Sequence, residues 1–192
     1  MEFINLENSD SQEFKEAWEI YESSFSSDER RTSELQKELI KNEQYNFFIV
    51  IKNNILVAII TDWNFKDFSF VEHLAVKKDL RGKGIGTELL KEYISRNKQK
   101  IVLEVKKPED ESAVKRIRFY EEIGFKLNNF DYIQPPYGKD KSPVSMLLMT
   151  YPEKITQFEF SSIREKLHIT VYGLEKPILG NQINSKISLS PL

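Results

Sequence analysis

A cluster of glycines constrains the fold of this chain more than any other feature of its sequence. Three of the seven glycines fall within residues 82–86. Because glycine costs conformational entropy on folding, such a cluster predicts a loop whose backbone must approach another group closely. An apolar run, Phe68–Val76, precedes the loop, and apolar residues at helical spacing follow it from Leu89 onward. The pattern predicts a strand, a tight loop and a helix in succession.

The chemistry of this loop favours an anionic ligand. The first backbone N–H groups of a helix have no partner within the helix, and they carry the positive end of its dipole. Glycines remove the side chains that would keep a phosphate away from these groups. Arg81 and Lys83 add positive charge at the same place. We therefore predict a loop that binds a pyrophosphate.

Two common phosphate-binding motifs match this loop poorly. A dinucleotide-binding loop reads Gly-x-Gly-x-x-Gly, but Thr87 stands where the third glycine belongs. In favour of a dinucleotide, Glu104 lies 20 residues beyond Gly84 on the next predicted strand. A nucleoside triphosphate loop would need Gly-Lys-Ser/Thr after a four-residue gap, and that sequence does not follow. A dinucleotide or a nucleoside triphosphate is therefore the less favoured ligand.

The rest of the sequence predicts alternating strands and helices in the order β-α-α-β-β-β-α-β-α-β-β, followed by an extension. Hairpins imply antiparallel neighbours, and the helix between two of the strands implies one parallel pair. We therefore expect an α/β (α+β) fold with one mixed sheet and helices on both faces. Helices are marked over Asp10–Phe25, Ser33–Ile40, Leu89–Ile94, Ile117–Ile123 and Ser161–Leu167, and strands over Phe47–Ile51, Ile55–Ile60, Phe68–Val76, Ile101–Val105, Phe125–Ile133, Val144–Tyr151 and Ile169–Tyr172.

Two helix ends carry specific signals. The run Ser33-Glu34-Leu35-Gln36 resembles a capping box, which predicts Ser33 as the cap of the second helix. Gly124 follows the helix marked by Ile117 and Ile123, and glycine is common at the left-handed residue that ends a helix. We therefore expect Gly124 to end the fourth helix.

Two motifs together resemble the GNAT superfamily of acyl-CoA-dependent N-acyltransferases. The first is Arg-x-x-Gly-x-Gly at residues 81–86, after the strand end Leu74–Val76. The second is Phe119–Phe125, which reads Phe-Tyr-Glu-Glu-Ile-Gly-Phe. The similarity spans about Phe47–Tyr151. It implies a mostly antiparallel sheet with a splayed parallel central pair, and an N-acetyltransferase domain over residues 1–152. A helix and strand extension over 153–173 and a tail over 174–192 complete the expected organisation.

The resemblance implies acetyl-CoA (coenzyme A) as cofactor, with no metal. Backbone groups of Leu74, Ala75 and Val76 would pair with the pantetheine arm. One position departs from the family pattern, because Ala113 stands where an asparagine often contacts the cofactor. Arg116, on the same helix, could instead reach a phosphate. The residues expected to supply N–H groups to the pyrophosphate are Arg81, Gly82, Lys83, Gly84, Ile85, Gly86 and Thr87.

The resemblance also implies two catalytic residues. Tyr120 would protonate the departing thiolate, and Glu72, where one branch of the family has a glutamate, would accept a proton from the amine. An alternative for Glu72 is a carboxylate paired with a neighbouring Lys or Arg, and His73 is a second candidate base. Strict alternation along a strand would place Glu72 and His73 on opposite faces. The alternative for Tyr120 is an aromatic residue packed on an amphipathic helix.

Composition excludes several other functions. The chain has no cysteine, so neither disulfides nor a covalent cysteine intermediate can form. Its formal charge is −2 without a long basic run, which argues against nucleic acid or an anionic membrane as partner. The only histidines are His73 and His168, far apart in sequence, so a zinc site is not expected. The N-terminus lacks the pattern of a signal peptide, which predicts a cytoplasmic protein.

The acceptor and the assembly stay open at this level. We expect a small-molecule or peptide amine as substrate. Carboxylates such as Glu29, Glu72 and Asp131 would favour a cationic amine, whereas Arg30 and Arg31 would favour an acidic group on the substrate. A polyamine, an aminoglycoside, an amino acid, a peptide and a protein N-terminus are all compatible with the sequence. The chain is expected to be a monomer or a homodimer. The alternative to an enzyme is a catalytically silent acyl-CoA sensor or interaction module of the same fold.

Overall fold

A computed structural model of the chain describes residues 1–178, and the elements within that range follow the predicted order. Short 3-10 turns lie at Ser27–Glu29 and Lys78–Leu80. The strands are β1 (Glu2–Asn5), β2 (Tyr45–Lys52), β3 (Ile55–Asn64), β4 (Phe68–Val76), β5 (Lys100–Lys106), β6 (Lys126–Gln134) and β7 (Val144–Tyr151), and the helices are α1 (Gln12–Ser24), α2 (Ser33–Leu39), α3 (Ile85–Arg96), α4 (Glu111–Ile123) and α5 (Gln157–Lys166).

The strands form one mixed, mostly antiparallel sheet in the order β1-β2-β3-β4-β5-β7-β6. This confirms the predicted fold class. The splay of the central pair stays a prediction. The described chain divides into two compact units. Unit 1 comprises residues 1–26 and 30–102, and unit 2 comprises residues 27–29 and 103–178.

Unit 1 is built on the antiparallel strands β1 to β4. Helix α1 packs against β3 and β4, and α3 packs against β4. Ser11 caps α1 by accepting a hydrogen bond from the backbone N–H of Phe14 at 3.1 Å, which satisfies one free donor of the first turn. Aromatic side chains lie between α1 and the sheet, where the ring of Phe47 lies 6.1 Å from those of Phe14 and Tyr21. Burial of this aromatic face holds α1 on the sheet.

A β-bulge interrupts β4 at the position of Glu72. Thr61 of β3 pairs with His73, and the next residue, Asp62, pairs with Val71. Glu72 is therefore the extra residue opposite this step of the ladder. The bulge resets the alternation of side chains along β4, so the predicted placement of Glu72 and His73 on opposite faces is wrong. Both side chains contact residues from the α1–α2 region, Glu72 through Arg31 and His73 through Tyr21.

Unit 2 contains the β6–β7 hairpin, α4 and α5. Gly124 ends α4 with a φ of 113°, and its N–H donates to the carbonyl of Glu121 at 2.9 Å. The predicted end of this helix is thereby confirmed. Helices α4 and α5 both pack against β6.

Two local predictions are wrong. The cap of α2 is Thr32 rather than Ser33, because the Thr32 hydroxyl accepts from the N–H of Leu35 at 3.4 Å. The run Ile169–Tyr172 is not a strand but continues α5 as a π-helical turn over Leu167–Val171. The β-branched residues of this run misled the prediction, because tertiary packing overrides local propensity there. Leu167 and Val171 are buried one π turn apart.

The described part of the tail is packed rather than loose. The N–H of Leu174 donates to the carbonyl of His168 at 2.9 Å, and the N–H of Ile178 donates to Nδ1 of His168 at 3.0 Å. Leu174 and Ile178 are both buried. The rest of the predicted tail, residues 179–192, lies outside the described residues. Within residues 1–178, no helix combines the length and the apolar character needed to cross a membrane.

Candidate active site

The glycine loop connects β4 to α3 in unit 1. Gly82 and Gly84 have φ values of 75° and 76°, in the left-handed region that side chains with a Cβ disfavour. A Cβ at either position would meet no atom within 4 Å, so the space in front of both glycines is open. Gly84 is the N-cap of α3 and caps it without a side chain. The start of α3 is therefore open at both glycines, and the binding of a phosphate there stays a prediction.

The charged residues of the loop are partly engaged. Nε of Arg81 donates to the carbonyl of Val76 at 3.0 Å, and Nη2 donates to the hydroxyl of Ser24 at 2.9 Å. Nζ of Lys83 donates to the carbonyl of Asp79 at 3.2 Å. These bonds hold the loop in shape, and both side chains remain exposed to solvent. Their positive charge thus stays beside the first N–H groups of α3.

The end of β4 lies next to the loop. Leu74, Ala75 and Val76 pair with Ile60, Ile59 and Ala58 of β3, respectively. Ala75 is buried, whereas the other two are half-buried. The last three residues of the predicted phosphate loop, 85–87, form the first turn of α3. The side chain of Ile85 is buried and anchors this start, and Gly86 and Thr87, both half-buried residues, complete the first turn.

Glu72 is a fully buried carboxylate with two donors. Nη1 of Arg31 donates to its Oε1 at 2.6 Å, and Nε1 of Trp63 donates to its Oε2 at 3.1 Å. The Arg31 guanidinium also lies 5.9 Å from the ring centroid of Trp63. The structure therefore shows the paired carboxylate that was the alternative for this position. An ion pair of this kind favours the ionised form of the carboxylate.

His73 is packed and hydrogen-bonded. Its ring lies 4.7 Å from that of Tyr21 and 4.6 Å from that of Phe25, both edge-on. Its Nδ1 lies 3.3 Å from the hydroxyl of Thr61, and its Nε2 lies 3.5 Å from the hydroxyl of Tyr21. Burial raises the pKa of Tyr21, so this hydroxyl stays protonated at neutral pH. The surroundings of His73 are those of a core histidine.

Tyr120 lies in unit 2, near the end of α4. Its ring packs edge-on against Phe119 at 5.1 Å and Phe125 at 5.7 Å, and 9% of the residue is exposed. Among residues 1–178, no group hydrogen-bonds with its hydroxyl. Burial raises its pKa, and the charge of Arg116 offsets part of this effect. Arg116 itself is exposed on α4, one turn before Tyr120.

The sequence model of the acetyltransferase (GNAT) family matches residues 11–125, which is more than half of the chain. A solved structure of a GNAT-family protein from Bacteroides thetaiotaomicron superposes with a TM-score of 0.87 and 34% identity, covering 91% of this chain and 100% of that one. This chain belongs to the GNAT acetyltransferase family. The match includes the glycine loop, Glu72 and Tyr120, so all the sequence-predicted site residues fall within the GNAT region.

Two further similar proteins match a smaller share of this GNAT protein. YjbC of Bacillus subtilis, an acetyltransferase by name, is 42% identical over 64 residues, which are 32% of this chain and 33% of YjbC. The alignment thus covers about a third of that relative. An aminoglycoside 6'-N-acetyltransferase solved with coenzyme A superposes with a TM-score of 0.54 at 14% identity, covering 82% of this chain and 100% of that one. This second likeness is one of fold.

Glu104, a carboxylate in unit 2, was not predicted from the sequence as a site residue of a GNAT protein. Its position was used only as a point in favour of a dinucleotide. The hydroxyls of Tyr132 and Tyr172 both donate to Glu104, the latter at 2.7 Å to Oε2. The Tyr137 hydroxyl lies 3.4 Å from that of Tyr172. Glu104 is half-buried within an otherwise apolar strand, Ile101–Val105. That interruption of an apolar run was the available signal.

Unit 1 thus brings together the glycine loop, the end of β4 and Glu72. Unit 2 brings together Tyr120 and Arg116 on one helix, and separately the tyrosines around Glu104. The acidic residues expected to face a substrate are themselves engaged. Nζ of Lys106 pairs with Glu29 at 2.9 Å, and Nζ of Lys107 pairs with Asp131 at 3.6 Å.

Proposed function

We propose that this protein transfers an acetyl group from acetyl-CoA to a primary amine by direct attack within a ternary complex. The observation that carries the proposal is the glycine loop before α3, with two left-handed glycines and open space in front of them. In a member of a family of acetyltransferases, such a loop suits the pyrophosphate of coenzyme A. The acceptor is a small-molecule or peptide amine.

The cofactor is held mainly by backbone groups in this proposal. Leu74, Ala75 and Val76 offer peptide groups to the pantetheine arm, and the residues from Arg81 to Thr87 offer N–H groups to the pyrophosphate. Arg81 already spans from Val76 to Ser24, so it contributes charge and shape more than a freely moving donor. Arg116 is exposed and can reach out to a phosphate from α4.

Tyr120 is proposed as the acid that protonates the departing thiolate. Its raised pKa keeps the phenol protonated at neutral pH, which is the form that can donate. A phenol ordinarily has a pKa of about 10 and a thiol one of about 8.5, so the transfer is uphill, and the raised pKa of Tyr120 makes it more so. The residue therefore assists the reaction without being indispensable to it. The oxyanion is met by a backbone N–H near Leu74, a donor that needs no reorganisation.

Glu72 is proposed as the base that takes the proton of the amine through water. Its carboxylate accepts hydrogen bonds from Arg31 and Trp63, and the adjacent guanidinium favours the ionised form that can act as a base. A primary amine with a pKa of about 10.4 needs such help, because reaching its neutral form near pH 7.4 costs about 4 kcal/mol. His73 and Glu104 are the competing candidates.

The first experiment tests the glycine loop. Gly84→Glu places a negative charge at the start of α3, so coenzyme A should bind at least tenfold more weakly by calorimetry. Gly84→Asn is the matched control, because asparagine tolerates the left-handed conformation and carries no charge. If Gly84→Glu binds coenzyme A as tightly as Gly84→Asn, the loop is not the phosphate site.

The second experiment tests the acid. Tyr120→Phe should lower acetyl-CoA-dependent thiol release on addition of an amine by up to about 10²-fold. The affinity for coenzyme A should change little, since the hydroxyl is the only group removed. Unchanged turnover would remove Tyr120 from the mechanism.

The third experiment separates the candidate bases. Glu72→Gln, Glu104→Gln and His73→Gln are compared by the pH dependence of turnover, after circular dichroism has shown that each variant folds. The base is the residue whose substitution abolishes the fall in turnover at low pH. If only Glu104→Gln does so, Glu72 serves to hold Arg31.

A catalytically silent acyl-CoA sensor is the second candidate function. The observation in its favour is the engagement of Glu72 by Arg31 and Trp63, which occupies the carboxylate with structural partners. Calorimetry and an amine panel distinguish the two functions on one preparation. Binding of acetyl-CoA without thiol release across polyamines, aminoglycosides, amino acids and peptides would establish the sensor.

A further inference from the structure

Unit 1 contains a pocket far from the glycine loop. It has a volume of about 210 Å³ and lies where β3 ends, β4 begins and α3 ends, around Asn64, Ser69 and Asn97. The glycine loop follows the other end of β4, which is Val76. Val76 lies seven residues beyond Ser69, a distance of about 23 Å along the strand. The pocket therefore belongs to a different part of the unit from the proposed coenzyme A loop.

A buried carboxylate forms the polar centre of the pocket. Asp62 is 5% exposed, its Oδ1 accepts from Nδ2 of Asn46 at 2.8 Å, and its Oδ2 accepts from the hydroxyl of Tyr93 at 2.6 Å. A carboxylate can accept about four hydrogen bonds, so two positions remain for donors of a ligand. Burial raises the pKa of Asp62. An ionised carboxylate at this buried position costs free energy unless further hydrogen-bond donors, such as those of a ligand, reach it.

The other polar groups of the pocket supply both donors and acceptors. Oδ1 of Asn97 accepts from the hydroxyl of Ser69 at 3.1 Å, and its Nδ2 donates to the carbonyl of Tyr93 at 3.2 Å. The Ser69 hydroxyl and the Asn97 side-chain amide can each form a further hydrogen bond. Asn64 contributes a side-chain amide at the exposed end. A ligand with closely spaced groups that both donate and accept would satisfy this set.

Aromatic rings form the apolar wall. Phe3 and Phe48 are half-buried, and their centroids lie 6.2 Å apart with an interplanar angle of 73°. The guanidinium of Arg96 covers one side of Phe3 at 4.4 Å. The negative face of an aromatic ring attracts the C–H groups of a saturated ring that lies against it.

The charges around the pocket balance each other. Arg96 donates to Oε1 of Glu92 at 2.6 Å, and the N-terminal ammonium pairs with Oε2 of the same residue at 2.9 Å. The charged residues that line the pocket itself are Asp62 and Arg96, one of each sign. A neutral ligand is favoured over a charged one, since neither sign of charge is in excess.

We propose that this pocket binds a neutral polyhydroxylated molecule of monosaccharide size. Its hydroxyls donate to Asp62 and exchange hydrogen bonds with the asparagine amides, and a C–H face of its ring lies against Phe48. The small volume excludes larger ligands, because sites for drug-sized molecules occupy about 300–1,000 Å³.

The test uses the intact chain and direct binding. Glucose, galactose, ribose and myo-inositol are titrated into ¹⁵N-labelled protein, and the side-chain amide signals of Asn64 and Asn97 are followed by NMR. At least one of these probes should shift both signals to saturation. Asp62→Asn keeps an acceptor for Asn46 and should weaken binding at least tenfold, as expected for loss of a bond to a charged group. Asp67→Asn, at an exposed position in the β3–β4 turn, is the matched control and should bind like the parent.

Three results would overturn the proposal. The first is that none of the four probes shifts the two amide signals. The second is that Asp62→Asn and Asp67→Asn bind the active probe equally well. The third is that benzylamine, a small cation with an aromatic body, saturates the pocket in an Asp62-dependent way while the four probes do not. Neither positive nor negative results depend on acetyl transfer, so this test is independent of the proposed function.

Discussion

The two units satisfy their buried polar groups in different ways. In unit 1, the carboxylate of Glu72 is balanced by the full charge of Arg31 at 2.6 Å. In unit 2, the hydroxyls of Tyr132 and Tyr172 donate to Glu104, and the imidazole of His168 bonds to backbone groups. The first arrangement depends on two charges that must both be present. The second is spread over several neutral groups, so the loss of one of them should cost less.

The two arrangements also hold different segments of the chain in place. A charge pair between the bulge of β4 and the segment before α2 fixes the position of that segment, because Arg31 lies beside the cap residue Thr32. The tyrosine cluster orders β5, β6 and the residues after the π turn in unit 2. Each arrangement thus positions chain segments within its own unit.

The largest effect is expected from removing the charged partner in unit 1. Arg31→Met should lower the free energy of unfolding by about 3–5 kcal/mol, because it leaves a buried carboxylate without its cation. Urea-induced unfolding measures the change. Lys41→Met is the control, since Lys41 pairs with Glu38 at 2.9 Å and both side chains are exposed. That variant should lose about 1 kcal/mol or less. Equal losses for Arg31→Met and the control would mean that the buried pair of Arg31 and Glu72 stabilises the protein no more than an exposed pair does.

Sequence patterns predicted the order of the elements because most of them carry local signals. The bounds of β4 and β7 match the predicted Phe68–Val76 and Val144–Tyr151, since each is a mostly apolar run with a strand-breaking or charged residue at both ends. Gly124 marks the end of α4 for a similarly local reason. The π turn after α5 was missed, because its stability comes from burial of Leu167 and Val171 rather than from their intrinsic preference.

The candidate site was predictable only where a backbone motif defines it. The glycine spacing indicated the loop, since left-handed residues at 82 and 84 require that residue type. The partner of Glu72 could not be foreseen, because Arg31 is 41 residues away and the bulge that turns Glu72 toward it leaves no clear trace in the sequence. The tyrosines around Glu104 are likewise 28 and 68 residues distant from it.

The second-largest loss of stability is expected when the pH is lowered, and it arises from His168 in unit 2. Burial lowers the pKa of His168 to about 4. The ordinary value in an unfolded chain is about 6.5. Since the folded state disfavours the proton, this contribution to stability is complete above about pH 6.5 and is lost as the pH falls toward 4, by about 3 kcal/mol in total. Protonation would also remove the acceptor Nδ1 from the N–H of Ile178.

Urea unfolding at a series of pH values tests this prediction. The parent should lose stability between pH 6.5 and 4 more steeply than His168→Gln, which has no group that titrates there. Comparing the two proteins at each pH cancels the titration of the carboxylates that they share. Parallel curves for the two proteins would show that His168 does not resist protonation in the folded state.

The smallest effect is expected from removing one neutral donor in unit 2. Tyr172→Phe deletes the hydroxyl that donates to Glu104 at 2.7 Å, and should cost about 1.5–3 kcal/mol, the range for hydrogen bonds to charged groups. Tyr151→Phe is the matched control, because its ring packs against Phe125 and its hydroxyl has no partner among residues 1–178. It should cost no more than about 0.5 kcal/mol.

The combination of substitutions decides whether the tyrosines act as a set. If the hydroxyls of Tyr132 and Tyr172 share the charge of Glu104, each compensates in part for the loss of the other. Tyr132→Phe and Tyr172→Phe together should then cost more than the sum of the single losses, with a coupling of about 0.5–3 kcal/mol. Additive losses would mean that each hydroxyl acts alone. A combined loss as large as that of Arg31→Met would mean that Glu104 depends on its hydroxyls as much as Glu72 depends on its cation.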